Sequence, residues 1–108
     1  MGVRVEVAAG LKQKFLRDHR RDGGRAGDAW RRLVEIGADL SKDPFFGVQI
    51  PKDRFPKAFK GDRNLWKLDL PHAFRAVYTV MGRPGGSVRV VIRWVGDHKE
   101  YEKLFGYS

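Results

Sequence analysis

The chain contains no cysteine, so it can form neither a disulfide framework nor a thiolate metal site. Its apolar runs are far shorter than the roughly 20 residues that a membrane-spanning helix requires. The histidines are His19, His72 and His98, without HExxH or paired-carboxylate spacing, and no Walker-type or GxGxxG loop is present. We therefore expect a soluble, cytoplasmic protein that uses no metal or other cofactor and has no membrane partner.

Acidic residues are also scarce relative to basic ones. The 108 residues include 22 Lys and Arg against 13 Asp and Glu, which gives a formal net charge of +9. Such a surface attracts polyanions, so a nucleic acid, an acidic protein or both are expected partners. Basic residues occur in both halves of the chain, so the charge does not belong to a detachable tail. A charged surface that serves only solubility remains the alternative. The length fits a single domain over 1–108.

The first part of the chain predicts a strand followed by two helices. Valines alternate with charged residues over 3–7, the period of a half-buried strand. Apolar residues at helical spacing predict a helix from Leu11 to about Arg21, and the glycines of 22–24 break it. Asp28 is the predicted N-cap of a second helix, which Pro44 ends. The two helices form a helical hairpin.

The second part predicts a connection, three strands and a tail. Residues 43–62 contain prolines and glycines but also four phenylalanines, which indicate an ordered connection. Strands are predicted at about 65–70, 74–81 and 88–95. Their short connections favour antiparallel neighbours. The tail, 97–108, is expected to begin with a helical turn that docks through aromatic residues.

One face of the three predicted strands is apolar throughout. Its members are Trp66, Leu68, Leu70, Phe74, Ala76, Tyr78, Val80, Val88, Val90, Ile92 and Trp94. The helical hairpin must cover this face, because nothing else in the chain can. The tryptophans and Tyr78 are accordingly expected in the core. The predicted fold class is α+β, with an N-terminal strand, a helical hairpin and a three-stranded antiparallel meander whose helices pack on one sheet face.

The opposite face carries charged side chains, and strand register decides which of them meet. A three-residue turn at 71–73 places Asp69 beside Arg75. A five-residue connection at 82–86 keeps apolar side chains opposite one another and places Arg93 on the other side of Arg75. Two arginines side by side are destabilising unless an anion such as a phosphate joins them. The alternative is that Asp69 neutralises Arg75 while Arg93 points into water.

The same register predicts a group of chemically active residues at one end of the sheet. His98 would lie near the turn that holds His72, together with Tyr101, Lys99 and Arg75. RNA can be cut without a metal when its own 2′-hydroxyl attacks the neighbouring phosphorus. The protein must then supply a base, an acid and cations that stabilise the phosphorane, for which histidine, tyrosine and arginine are suited.

Four segments of the chain are similar to a known family. They read LWKLDL at 65–70, FRAVYTV at 74–80, VVIRWV at 90–95 and DHKEY at 97–101. Together they resemble the C-terminal half of toxins of the RelE/ParE superfamily. The order of elements extends the resemblance over nearly the whole chain, although the helical hairpin matches in type alone.

The resemblance implies the toxin of a type II toxin–antitoxin system. RelE-like members are mRNA endoribonucleases that act in the A site of the 70S ribosome and are silenced by a cognate antitoxin that wraps around them. The catalytic residues expected are Arg75, His98 and Tyr101, and the residues expected to bind RNA phosphates are Lys67, Arg93 and Lys99. Asp69 departs from the RelE pattern, which tends to be basic there.

Two other functions are compatible with the same fold. ParE-like relatives act on DNA gyrase instead of RNA, and the chain could also be an inactive basic module that binds RNA or protein. The pair His98 and Tyr101 after the final strand favours the nuclease. Translation arrest with cut messages would indicate the nuclease, whereas DNA damage with normal translation would indicate the gyrase-directed toxin.

Overall fold

Within the part of the chain that the computed structural model describes, residues 2–82 and 86–106, five strands and three helices form an α+β fold. The elements are β1 (Val3–Val7), α1 (Leu11–Arg21), α2 (Gly23–Lys42), β2 (Val48–Gln49), β3 (Trp66–Leu70), β4 (Phe74–Gly82), β5 (Val88–Gly96) and α3 (His98–Phe105). The strands make one mixed sheet in the order β1-β5-β4-β3-β2, in which only the pairing of β1 with β5 is parallel. None of the described helices is long and apolar enough to cross a membrane.

The predicted meander of three antiparallel strands is confirmed as β3, β4 and β5. A tight turn, Pro71–Ala73, joins the first two and sets Asp69 opposite Arg75, as the sequence predicts. His72 and Ala73 both have positive φ angles, 61° and 60°, which are unfavourable for residues other than glycine. The His72 ring is anchored to Asp28 of α2 at 2.9 Å, a contact that ties this strained turn to the helices.

The second helix begins earlier than predicted, so Asp28 is not its N-cap. Asp22 takes that place, and its carboxylate accepts a hydrogen bond from the Arg25 N–H. The turn expected at 22–24 is therefore reduced to a single residue. Glycine in a helix costs roughly 1 kcal/mol of stability relative to alanine. At Gly23, however, the absence of a side chain allows the His19 ring to pack against the start of α2. A Cβ at Gly23 would lie 2.9 Å from the His19 ring.

The helical hairpin covers one face of the sheet, as expected. The first core combines Leu11, Ala26, Ala29, Leu33, Ile36 and Leu40 of the helices with Leu68, Leu70, Phe74, Ala76, Tyr78, Val90, Ile92 and Val95 of the sheet. Burial of these apolar surfaces supplies the main driving force for folding. Trp30 and Trp66 pack against this core, and Tyr78 is buried in it, which confirms their predicted positions.

The opposite face of the sheet is also covered, contrary to the prediction that helices pack on one face alone. Val77, Thr79 and Val91 are buried there. Val77 packs with apolar side chains of α3 and the connection 43–62, which form a second core. This core consists of Ile50, Phe55, Leu65, Val77 and Tyr101, with Phe59, Trp94 and Phe105 packed against it. The feature of the sequence that indicates this second core is the set of phenylalanines in the connection together with the aromatic residues of the tail.

The predicted register between the last two strands is wrong by two residues at its start, because Met81 pairs with Arg89 and not with Ser87. Gly82 pairs with Val88, so the connection begins one residue later than the predicted turn at 82–86, part of which lies outside the described residues. A β-bulge then shifts the register between Val77 and Tyr78 and leaves Arg93 without a partner on β4. Alternation of side chains alone does not reveal such an inserted residue.

The bulge also moves every later residue of β5 to the other face. Val95, rather than Trp94, is buried under the helices, and Trp94 joins the second core. Gly96, rather than Arg93, pairs with Arg75, so the predicted row Asp69–Arg75–Arg93 does not form. A Cβ at Gly96 would lie 2.6 Å from the Trp94 ring, so glycine is required for this packing.

Replacement of Leu40 by alanine tests the first core. Leu40 is completely buried, so Leu40→Ala should lower the free energy of unfolding by about 2–5 kcal/mol. Val34 lies on the same helix but is 77% exposed, and Val34→Ala should change it by less than about 0.5 kcal/mol. Urea unfolding followed by circular dichroism measures both. Equal losses in the two variants would contradict the packing described here.

Candidate nucleic-acid interface

A groove on the face opposite the helical hairpin brings together side chains from four parts of the chain. β3 supplies Lys67, β4 supplies Arg75, the 3-10 turn Lys52–Arg54 supplies Arg54, and α3 supplies Tyr101. Val48, Gln49, Ile50 and Pro51 complete the lining. No acidic side chain lines this groove, although three cations do. We refer to it as the basic groove.

Arg75 is held in the basic groove by two contacts. Its guanidinium carbon lies 4.6 Å from the centroid of the Tyr101 ring, within the range of a cation–π interaction. Its Nε lies 3.4 Å from a carboxylate oxygen of Asp69, which is 78% exposed. An exposed ion pair contributes little free energy and is screened by salt, so it leaves Arg75 able to bind another anion.

Tyr101 forms the floor beneath Arg75. It is 4% exposed and packs in the second core, where its ring stacks on Phe105 with centroids 4.3 Å apart and lies 6.0 Å from that of Trp94. The position of Arg75 therefore depends on how α3 packs against the sheet. The predicted proximity of Arg75 and Tyr101 is confirmed, although the strand register that produces it differs from the predicted one.

Lys67 and Arg54 carry the other charges of the basic groove. Lys67 is half-buried and makes no ion pair with any of the described residues. Arg54 is exposed, and its place in the turn comes from the prolines on either side of 52–55. Sequence reasoning missed Arg54, because nothing in that irregular stretch indicates which side chains face the sheet.

His98 and Lys99 lie on the first turn of α3 and do not line the basic groove. The Nε2 atom of His98 is 2.7 Å from a carboxylate oxygen of Glu102, one helical turn further on. Tyr101 follows His98 by three residues, so both belong to neighbouring positions on the helix surface. Lys99 is exposed.

His72 does not line the basic groove, although it shares another groove with Asp97 and Glu100 at the start of α3. Its ring binds Asp28 on α2 instead. The hydrogen bond from His72 lowers the pKa of Asp28 below its usual value. A lowered carboxyl pKa adds stability above the usual pKa, and this stability is lost as the pH falls through the lowered value. The contact therefore serves the fold at neutral pH.

Arg93 is likewise separated from Arg75. At the bulge its Nε lies 3.2 Å from the Asp62 carboxylate, in an ion pair without hydrogen-bond geometry, and its guanidinium carbon lies 5.5 Å from the centroid of the Phe59 ring. Asp62 is largely buried, so this carboxylate already matches the charge of Arg93. The expectation that a phosphate would join Arg75 and Arg93 is therefore wrong.

A polar cluster attaches the start of α3 to α1. The Lys14 ammonium group lies 2.6 Å from Asp18 and 3.1 Å from Glu100. Glu100 also completes a capping box with Asp97 at the N-terminus of α3. Sequence reasoning missed the cluster, although Asp18 is the sole acidic residue of α1 and stands four residues after Lys14.

Aromatic residues other than Tyr101 have structural roles. Burial raises the pKa of Tyr78, and its hydroxyl oxygen accepts a hydrogen bond from the Gly47 N–H at 2.8 Å. The Trp66 indole N–H donates to Asn64. Neither side chain reaches the basic groove. Among the described residues, no group of three His, Asp or Glu side chains could hold a metal ion.

Comparison with known proteins adds no relative. The chain matches no protein-family model, and no curated protein or solved structure is significantly similar to it. The chemistry of the basic groove therefore has to be argued from its own residues and from the sequence resemblance.

Removal of the Lys14 charge tests the attachment of α3. Asp18 is 5% exposed, so Lys14→Met leaves it buried without its cation and should cost about 3–5 kcal/mol in the free energy of unfolding. The double variant Lys14→Met with Asp18→Leu should recover most of that loss. Lys12→Met, at an exposed position of the same helix, is the control. Urea unfolding measures all three, and a loss below about 1 kcal/mol for Lys14→Met would contradict the cluster's importance.

Proposed function

We propose that the chain is the toxin of a type II toxin–antitoxin system, a RelE-like endoribonuclease that cuts mRNA in the ribosomal A site without a metal ion. The observation that carries the proposal is the basic groove, in which Lys67, Arg75 and Arg54 line one surface without an acidic neighbour in the lining. The four segments that resemble RelE/ParE toxins support it, because they supply Lys67, Arg75 and Tyr101.

The basic groove suits phosphoester cleavage by the 2′-hydroxyl of the substrate. Attack of the 2′-oxygen on phosphorus breaks the bond to the 5′-oxygen of the next nucleotide and leaves a cyclic phosphate, while the departing 5′-oxygen takes a proton from solvent water. Negative charge builds up on the phosphorane oxygens during this step. Arg75 and Lys67 would stabilise that charge, and the planar fork of arginine matches two phosphate oxygens.

His98 is assigned the transfer of the proton from the 2′-hydroxyl. When its Nε2–H donates to Glu102, the neutral ring has Nδ1 as its proton acceptor. The carboxylate also stabilises the imidazolium that forms. His98 is half-exposed and one helical turn from the floor of the basic groove, so a bound RNA strand lying over Tyr101 would come near it.

Tyr101 is assigned a positioning role rather than proton transfer. Its ring is buried and supports the guanidinium group of Arg75 from below. Lys99, exposed beside His98, is proposed as a further RNA contact. Arg93 is left out of the proposed site, because Asp62 holds it.

Asp69 is the feature that favours the alternative, a protein-binding toxin of the ParE type. It lies beside Arg75 and would repel a phosphate. Its high exposure makes the repulsion small, since exposed charges interact by less than about 1 kcal/mol. The ribosome, the mRNA and a cognate antitoxin are the proposed partners, and the cytoplasm is the proposed location.

Single-turnover cleavage of ribosome-bound mRNA tests the assigned roles. Arg75→Ala and His98→Ala should each slow the chemical step by roughly a hundredfold, because each removes a group that acts in the transition state. Tyr101→Phe should keep the rate within a few fold, because the supporting ring remains. Lys12→Ala, at an exposed position of α1 that does not line the basic groove, is the control for charge.

Three results would separate the possibilities. A hundredfold loss in Tyr101→Phe would make its hydroxyl a proton donor. Full activity of both Arg75→Ala and His98→Ala would disprove the proposed site. DNA damage with normal translation in cells that express the chain would favour the gyrase-directed toxin.

Chelation provides a separate test of the mechanism. The nucleophile belongs to the substrate and the cations belong to the chain, so excess EDTA should leave the rate of the chemical step unchanged. Ribosomes need magnesium, so the measurement uses preassembled complexes with free metal controlled. Loss of cleavage with intact ribosomes, restored by added divalent metal, would contradict the mechanism.

A further inference from the structure

A second groove adjoins the basic groove. The two share the wall Gln49, Ile50 and Pro51. The turn Lys52–Arg54 lies between them, so that Arg54 lines the first groove and Lys52 lines the second. Arg63 lines the far side of the second groove.

The charged residues that line the second groove are Lys52 and Arg63, so its lining also contains cations and no carboxylate. Lys52 and Arg63 are exposed and make no ion pair with any of the described residues. The nearest acidic residues along the chain are Asp53, which lines neither groove, and Asp62, which pairs with Arg93. Three other grooves of the described surface differ, because carboxylates and cations line them together. Glu6 lies in one with Arg4 and Arg89, and Asp62 lies in another with Arg63. Asp18, Asp22, Asp97 and Glu100 line the third, with Arg21 and Arg25.

The walls of the second groove are firmly held. Asn64, beside Arg63, accepts hydrogen bonds from Trp66, Thr79 and the Val80 N–H, and its own amide donates to the Val80 carbonyl. Phe55 belongs to the second core. A fixed floor limits the conformational entropy lost on binding an anion to that of the two cationic side chains.

We propose that Lys52 and Arg63 form a second phosphate subsite, which binds a phosphate of the same RNA strand next to the one held by Lys67 and Arg75. This inference rests on the proposed function, because it takes the strand in the basic groove as its starting point. The shared wall of three residues spans at most roughly 10 Å, comparable with one or two steps along a single strand. The two grooves then form one continuous path.

Binding of RNA strands of two lengths tests the subsite. The probes are a dinucleotide, which has a single phosphate, and a dodecanucleotide, both fully 2′-O-methylated to prevent cleavage and labelled for fluorescence anisotropy at low salt. In the double variant Lys52→Ala with Arg63→Ala, dodecanucleotide affinity should fall about tenfold and dinucleotide affinity should hardly change. The slope of log affinity against log salt concentration for the longer strand should become shallower by roughly 0.7, because the subsite neutralises one phosphate of a single strand.

A matched control removes two other cations of the same connection. Lys57 and Lys60 are exposed and line neither groove, so Lys57→Ala with Lys60→Ala should weaken both probes by less than about threefold. Lys67→Ala, in the basic groove, should weaken both the short and the long strand. This variant therefore reports on the proposed function independently of the second subsite.

The outcomes are distinct. Equal binding of the dodecanucleotide by the two double variants would overturn the subsite, while a loss in Lys67→Ala would keep the basic groove. No effect of Lys67→Ala on either probe would overturn the basic groove and, with it, a subsite defined as its neighbour. A further probe is an oligoglutamate that carries the same charge as the dodecanucleotide. If the chain binds it more tightly than the dodecanucleotide, and the Lys52 and Arg63 double variant loses that binding, the proposal is overturned and the ligand is an acidic protein segment.

Discussion

The pairing of β4 with β5 through a β-bulge at Arg93 is the constraint on which both faces of the sheet depend. One inserted residue lets Ile92 and Val95 both face the helical hairpin, although they are three positions apart. It sends Trp94 to the second core and sets Gly96, instead of Val95, opposite Arg75. A bulge increases the local twist and redirects side chains, and here it does so beside the basic groove.

The second core connects this backbone feature to the proposed chemistry. Tyr101 packs against Trp94 and Phe105 and supports Arg75, so the position of a cation depends on the burial of aromatic rings. Polar contacts at the start of α3 complete the attachment, because Glu100 both caps the helix and binds Lys14 of α1. The basic groove is thus built on packed elements rather than on a free loop, as precise positioning of reacting groups requires.

Charge is distributed unevenly over the molecule, and this distribution links the groove to its proposed substrate. The basic groove and the second groove are lined by cations without a carboxylate, whereas both signs of charge line the grooves beside the helical hairpin, β1 and Asp62. A strand of RNA would be attracted more strongly to the first surface, where no lining carboxylate opposes it. The attraction of RNA therefore depends more on where the cations lie than on the magnitude of the net positive charge.

Periodicity in the sequence was sufficient to predict β1, α1, the meander and the hairpin-covered face, because each depends on which neighbouring residues can be buried together. The turn at 71–73 was short enough to determine the pairing of Asp69 with Arg75. The bulge was not predictable, since an inserted residue preserves a plausible alternation on both sides of it. The start of α2, the contacts of Arg93 and the place of Arg54 likewise depended on segments distant in sequence. The local sequence pattern determined the helices, the strands and the residue types available on each. Tertiary packing decided which cations share a groove, because the composition of a groove depends on contacts between segments that are distant in the sequence.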